Sequence, residues 1–146
     1  MANYTKDELI ALIQDNPQEF NEWKKNQEDI DLSEVDFSNL TLTEIDFTRS
    51  NLVECDFSEA IMPGADFSYA AVNYCNFNET DVAGCIFDES DLSNSDFSTA
   101  TNMSACRFDD ETVWPDTDML PEDFDSTYSD DLSSLKDDDE SAPSDY

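Results

Sequence analysis

Histidine is absent from this 146-residue chain, glycine is down to two residues, and lysine and arginine together number six. Each shortage removes a class of chemistry. Without imidazole, the commonest general base and the commonest metal ligand are both gone. Gly64 and Gly84 alone cannot build a glycine-rich phosphate loop. The scattered cations form no basic stripe for nucleic acid, so no direct nucleic-acid binding is expected. Cys55, Cys75, Cys85 and Cys106 form no C-x-x-C pair, which excludes the common zinc and dithiol motifs. They read as small buried fillers that stay reduced, as in the cytoplasm. No apolar run approaches the ~20 residues of a membrane span. Acidic residues within Met1–Asp15 stand where a signal peptide needs a hydrophobic stretch. Asp109-Asp110-Glu111 and Asp137–Glu140 lack the glycine and terminal glutamate of an EF-hand loop. The expectation is a protein without catalytic residues, metal or cofactor.

What the chain has instead is a period. Every fifth residue from Leu32 to Phe97 is apolar: Leu32, Phe37, Leu42, Phe47, Leu52, Phe57, Met62, Phe67, Val72, Phe77, Val82, Phe87, Leu92 and Phe97. Helices repeat every 3.6 residues and strands every 2, so neither local element produces a period of five. A solenoid does, because each short unit buries its one large side chain only against its neighbours. Phenylalanine holds every second centre. If four units close a square coil, Phe37, Phe57, Phe77 and Phe97 stack in one column, and Phe47, Phe67 and Phe87 in the opposite one. The residue two before each centre is mostly small, as at Ser50, Cys55, Ala60, Ala65, Ala70, Cys75, Thr80, Cys85, Ser90 and Ser95. Cys55 and Cys75 then neighbour each other, as do Cys85 and Cys106.

Ala65-Asp66-Phe67-Ser68-Tyr69, Cys55-Asp56-Phe57-Ser58-Glu59 and Ser95-Asp96-Phe97-Ser98-Thr99 resemble the units of the pentapeptide-repeat family. The resemblance covers roughly residues 30 to 113. It implies an all-β solenoid, a right-handed quadrilateral β-helix of about four coils. The register slips once. After Phe97 the apolar residues are Met103, Phe108 and Val113, so one inserted residue near Thr99–Asn102 is expected to form a bulge and return Phe108 to the column of Phe87.

The remaining segments divide the chain. Residues 1–27 predict a short helical cap: Thr5-Lys6-Asp7-Glu8 is a capping box, and Asn16-Pro17-Gln18-Glu19 restarts a helix with proline at its first position. Phe20-Asn21-Glu22-Trp23-Lys24-Lys25 resembles the aromatic leader of some bacterial pentapeptide arrays. Residues 28–115 are the repeat, and residues 116–125 a capping or dimerisation segment. Trp114, Met119, Leu120 and Phe124 are its apolar means, either covering the last coil or joining two rods as a homodimer. Residues 126–146 predict a disordered acidic tail.

Charge is the remaining clue to function. Against six basic residues stand 37 acidic ones, a net charge of −31. Residues 26–115 alone hold 20 acidic residues against Arg49 and Arg107. Coils stacked ~4.8 Å apart make a rod of roughly 20 Å. Its charge density, about one per ~1.1 Å, exceeds the one per ~1.7 Å of duplex DNA. Asp36, Asp56 and Asp96 precede centres on one face, and Asp46 and Asp66 on the opposite one. Aspartate there belongs to the repeat consensus and can bond turn backbone. Glu34, Glu44, Glu54, Glu59, Glu79 and Glu89, two residues after centres, are the less constrained excess. Some members of the family protect gyrase or act as DNA mimics, so the resemblance implies competitive inhibition of a basic DNA-binding protein, a type II topoisomerase or a restriction or defence nuclease. The alternative is an acidic scaffold or adaptor that does not displace DNA. High net charge also simply aids solubility.

Overall fold

The computed structural model describes residues 3–128. Residues 129–146, most of the segment expected to be disordered, lie outside the described residues.

Two short helices open the chain, α1 (Lys6–Asp15) and α2 (Pro17–Lys24). Thr5 and Glu8 complete a reciprocal capping box, with Thr5 N donating to Glu8 Oε1 at 2.8 Å and Glu8 N to Thr5 Oγ1 at 3.1 Å. Asn16 ends α1 and caps α2 by accepting from Glu19 N at 3.1 Å. Leu9, Ile13 and Phe20 are buried, and the Phe20 ring lies 6.1 Å from Phe47 of the repeat. Lys24 is also buried. Its Nζ donates to Thr48 Oγ1 at 3.1 Å and lies 3.9 Å from Asp46. Burial pulls its pKa below the ordinary lysine value, with Asp46 opposing.

From Ile30 onward the chain winds into four-sided coils. β1 (Ile30–Asp31) pairs in parallel with β2 (Ser50–Asn51), twenty residues later. The same offset recurs as isolated parallel bridges, Asp36 with Asp56, Thr41 with Ile61, Asp46 with Asp66 and onward to Asp81 with Thr101. Each centre donates upward and each following coil donates back: Leu32 N to Asn51 O at 2.8 Å, Asp56 N to Val35 O at 3.0 Å. All fourteen centres from Leu32 to Phe97 are fully buried. Numbering the sides by their centres, Leu32, Leu52, Val72 and Leu92 line side 1; Phe37, Phe57, Phe77 and Phe97 side 2; Leu42, Met62 and Val82 side 3; Phe47, Phe67 and Phe87 side 4.

The small inward residues also work. Thr80 Oγ1 donates to Phe57 O at 2.6 Å, Cys75 Sγ to Leu52 O at 2.9 Å and Cys85 Sγ to Met62 O at 3.1 Å, each reaching the coil before its own. Val35 and Ile45 take this position in the first coil and are buried too. That coil has no predecessor to pair its free edge. At Asp46, whose counterpart Asp66 donates to Ile45 O, the amide instead donates to Asn21 Oδ1 at 2.8 Å, while Asn21 Nδ2 donates to Glu44 O at 2.9 Å. One side-chain amide from α2 thus stands in for a strand.

The late register differs from the single insertion read in the sequence. The bridge offset is 20 at Asp81–Thr101, 21 at Ile86–Arg107 and 22 at Asp91–Val113, and Phe97 N donates to Met119 O. Three slips therefore follow one another. The first is the 3-10 turn Met103–Ala105, entered through left-handed Asn102. The second is the turn in which Thr112 N donates to Asp109 O at 3.3 Å. The third includes the 3-10 turn Thr117–Met119. Val113 is consequently not a centre: it points outward, half-exposed at 49%, and Trp114 takes the inward place. The indole lies 5.8 Å from Phe87, 5.2 Å from Phe108 and 5.0 Å from Phe124. Leu120 is buried six residues further on.

Candidate acidic docking surface

Most corners of the coil are four-residue turns closed by an amide that donates back to the centre, as Cys55 N does to Leu52 O at 3.2 Å, whereas Cys75 N donates to Ser95 Oγ at 2.9 Å. From Glu34 to Asn94 the third residue of each turn has positive φ, the signature of a type II turn. Met62-Pro63-Gly64-Ala65 has the residues such a turn prefers. Most corners do not. Glu34, Glu44, Glu54, Glu59, Glu79 and Glu89 all lie between φ 53° and 65° and are all exposed. The glutamates two residues after the centres were expected to be less constrained than the aspartates. Their side chains are, but their backbone is not: it occupies the left-handed region at about 1–2 kcal/mol each.

Residues twenty apart stack into ridges along the rod. Glu34 and Glu54 share the corner between sides 1 and 2 with Tyr74 and Asn94. Glu59 and Glu79 share the corner between sides 2 and 3 with Asn39. Glu44 stands alone on the third corner, where its side chain runs along Gly64: a Cβ there would lie 3.0 Å from Glu44 Cγ. Glu89 shares the fourth corner with Arg49 and Tyr69. The structure thus gathers the sequence-selected glutamates into two pairs and two single residues, not one uniform coat.

The aspartates behave differently. Asp36, Asp46, Asp56, Asp66 and Asp96 each accept from the amide two residues on, from Ser38, Thr48, Ser58, Ser68 and Ser98 at 2.9–3.0 Å. They are turn-forming as well as charged, the structural role expected for the consensus position. Hydrogen bonds from the Ser38 hydroxyl and amide hold the Asp36 carboxyl below its ordinary pKa.

Neutralisation is one-sided. Arg107 reaches Asp88 at 2.9 Å on side 4, Lys24 lies against Asp46 on the same side, and Arg49 stacks 5.1 Å from the Tyr69 ring at its corner. Among the described residues, Glu34, Asp36, Glu54, Asp56, Glu59, Glu79 and Asp96 form no ion pair. Side 2 and its two bounding ridges carry uncompensated charge, as do Asp31 and Asp91 on side 1 and Asp81 on side 3.

The sequence matches the pentapeptide repeats family in eight copies, over residues 30–68 and 70–110. The chain belongs to the pentapeptide-repeat family. The fold of this pentapeptide-repeat protein is accordingly a right-handed β-helix. No curated protein matches it. Among solved structures, it is 27% identical to a pentapeptide repeat protein of the Arabidopsis thaliana thylakoid lumen, over 76% of each chain at a TM-score of 0.42. A pentapeptide repeat protein of Nostoc is 18% identical over 71% of this chain and 83% of its own, at a TM-score of 0.46. QnrB1, a plasmid-mediated fluoroquinolone resistance protein, is 24% identical over 72% of this chain and 60% of its own, at a TM-score of 0.27. No helix among the described residues is long and apolar enough to cross a membrane.

Sequence reasoning missed Asn21, Tyr69, Tyr74 and Trp114's inward place. Asn21 carried no signal, because its role exists only where the first coil lacks a neighbour. The tyrosines were visible as large aromatic residues at positions that mostly take glutamate, asparagine or glycine.

Proposed function

We propose that this pentapeptide-repeat protein is a non-enzymatic DNA mimic that competitively inhibits a basic DNA-binding protein, with a type II topoisomerase or a restriction or defence nuclease as target. The observation that carries the reading is glutamate at six left-handed corners. Glycine or asparagine there would relieve strain and repulsion together, so folding alone does not favour these residues. A docking role does. The ridges Glu34–Glu54 and Glu59–Glu79, with Asp36, Asp56 and Asp96 between them, present fixed negative charge on a narrow rod, the arrangement a groove built for duplex phosphates attracts. Association is fast and weakened by salt.

The reduced cysteines suit the cytoplasm as its compartment. Trp114, Met119, Leu120 and Phe124 are proposed to cover the last coil within one chain, since Trp114 and Leu120 are already packed inward; a light-scattering mass of one chain agrees with this, and twice that mass favours end-to-end pairing.

Competition decides the mechanism. DNA gyrase and a restriction endonuclease are each titrated with the protein in the presence of labelled duplex DNA. A mimic and the duplex exclude each other, whereas an acidic adaptor forms a ternary complex. Glu34→Lys with Glu54→Lys, or Glu59→Lys with Glu79→Lys, abolishes inhibition by the ridge that docks while leaving the buried core intact. A protein that still inhibits after both reversals, but fails once residues 126–146 are removed, acts through its tail and not its rod.

A further inference from the structure

The largest exposed aromatic side chains of the repeat, Tyr69 and Tyr74, are 52% and 61% exposed. They stand at successive corners of one coil, on either side of Ala71. In the outward column of side 1, Ala71 lies between Asn51 in the coil before and Asp91 in the coil after. Asp31, Asn51 and Asp91 are polar, so Ala71 leaves a gap in the column at the place the two rings flank. A groove of about 390 Å³ runs along this side from Asp29 and Asp31 past Arg49 and Asn51 to Tyr69 and Ala71.

Tyr69 is also held in place. Arg49 stacks over its ring at 5.1 Å, and the neighbouring Glu89 carboxylate raises the pKa of its hydroxyl. The contact with Arg49 shows that this ring accepts a guanidinium. A planar, weakly hydrated cation gains more from an aromatic face than an ammonium does, and it can still bond a carboxylate in its own plane. Exposed tyrosine is also the residue type that anchors interfaces. A nucleic-acid base would stack as well, but its phosphates meet a chain of net charge −31.

We propose that the groove beside Ala71, walled by Tyr69 and followed past Ala71 by Tyr74 at the next corner, seats an arginine side chain of the partner protein, with Asp31 and Asn51 as its polar contacts. This rests on the basic partner of the reading above and adds the residue that docks and the side that receives it. Side 1 meets the Glu34–Glu54 ridge at the corner where Tyr74 stands, so the groove and the acidic ridge form one continuous surface. Charge brings the partner in, and the groove selects arginine over lysine.

Two peptides of equal length and charge, nona-arginine and nona-lysine, are titrated into the full chain at moderate salt. The combined variant Tyr69→Ala, Tyr74→Ala weakens nona-arginine about five- to thirtyfold, from two lost stacking contacts. It changes nona-lysine less than about twofold on the same basis, and Ile61→Ala on side 3 changes neither. With labelled protein, the amide resonances of Ala71 and Asn73 shift on adding nona-arginine. Equal losses for both peptides, or shifts confined to side 2, overturn the proposal. Gyrase and nuclease competition is a separate readout: failure there removes DNA mimicry without altering the arginine-to-lysine ratio.

Discussion

Truncating Phe77 to alanine probes the column that holds the solenoid together. The ring is fully buried and stacks on Phe57 at 4.9 Å and 16°, and on Phe97 at 4.3 Å and 8°, with Phe67 edge-on at 5.9 Å. Burial and cavity effects put the loss at about 3–5 kcal/mol. Each stacked pair adds roughly 0.5–1.5 kcal/mol beyond area, so the upper end is expected. Relaxation is limited, because backbone ladders hold the neighbouring coils at fixed spacing and cannot close the gap without breaking hydrogen bonds. A domain stable by about 5–15 kcal/mol loses a large share of that margin. Urea unfolding followed by circular dichroism reads the effect: with a slope near 2 kcal/mol per molar, the midpoint falls by about 2 M. Phe77→Leu, which refills most of the space, costs roughly half as much. A loss below about 1.5 kcal/mol for the alanine variant would refute a closed, close-packed column and the square coil with it.

Glu59→Asn with Glu79→Asn relieves left-handed strain and repulsion on one ridge, so stability rises by up to about 1–2 kcal/mol per site and the urea midpoint rises with it, while inhibition of the target weakens; a variant that is less stable contradicts the strain argument. Burial pushes the thiols of Cys55, Cys75 and Cys106 up to about 12, and Cys85 higher still, so a disulfide reagent at pH 8 labels the native protein slowly and all four cysteines at once in urea. Hydrogen bonds from Ser33 and Ser38 hold Asp31 and Asp36 below the ordinary carboxylate range. A depressed folded pKa contributes stability above the unfolded value near ~3.9 and loses it as pH falls through the folded one. The midpoint therefore drops on acidification below about pH 4; one that keeps rising to pH 3 would show that relief of repulsion outweighs the turn bonds.

The period of five, the alternation of phenylalanine with smaller centres and the small residue two places earlier were legible along the chain. Burial at regular intervals is a local pattern that every unit repeats, and a rod without long-range crossings gives it one way to close. The helix caps were legible for the same reason, since capping boxes act over three residues. The late register was not. Val113 and Trp114 are both apolar, and which turns inward depends on how many residues each slip absorbs, a matter settled by the ladder to the coil before. The candidate surface divides along the same line. Its acidic residues could be named from spacing, and the aspartates' role in the turns was anticipated, because the amide each one bonds lies two residues away. The grouping of glutamates into two ridges, the neutralisation of side 4 by Lys24, Arg49 and Arg107, and the pairing of Tyr69 with Arg49 all arise between residues nineteen or more apart. Sequence by itself determined what lies inside the regular coils up to Phe97, because burial there is decided unit by unit. Only the stacking of coils decided what the outside presents, because a surface is made of neighbours that the chain brings together only after it has gone once around.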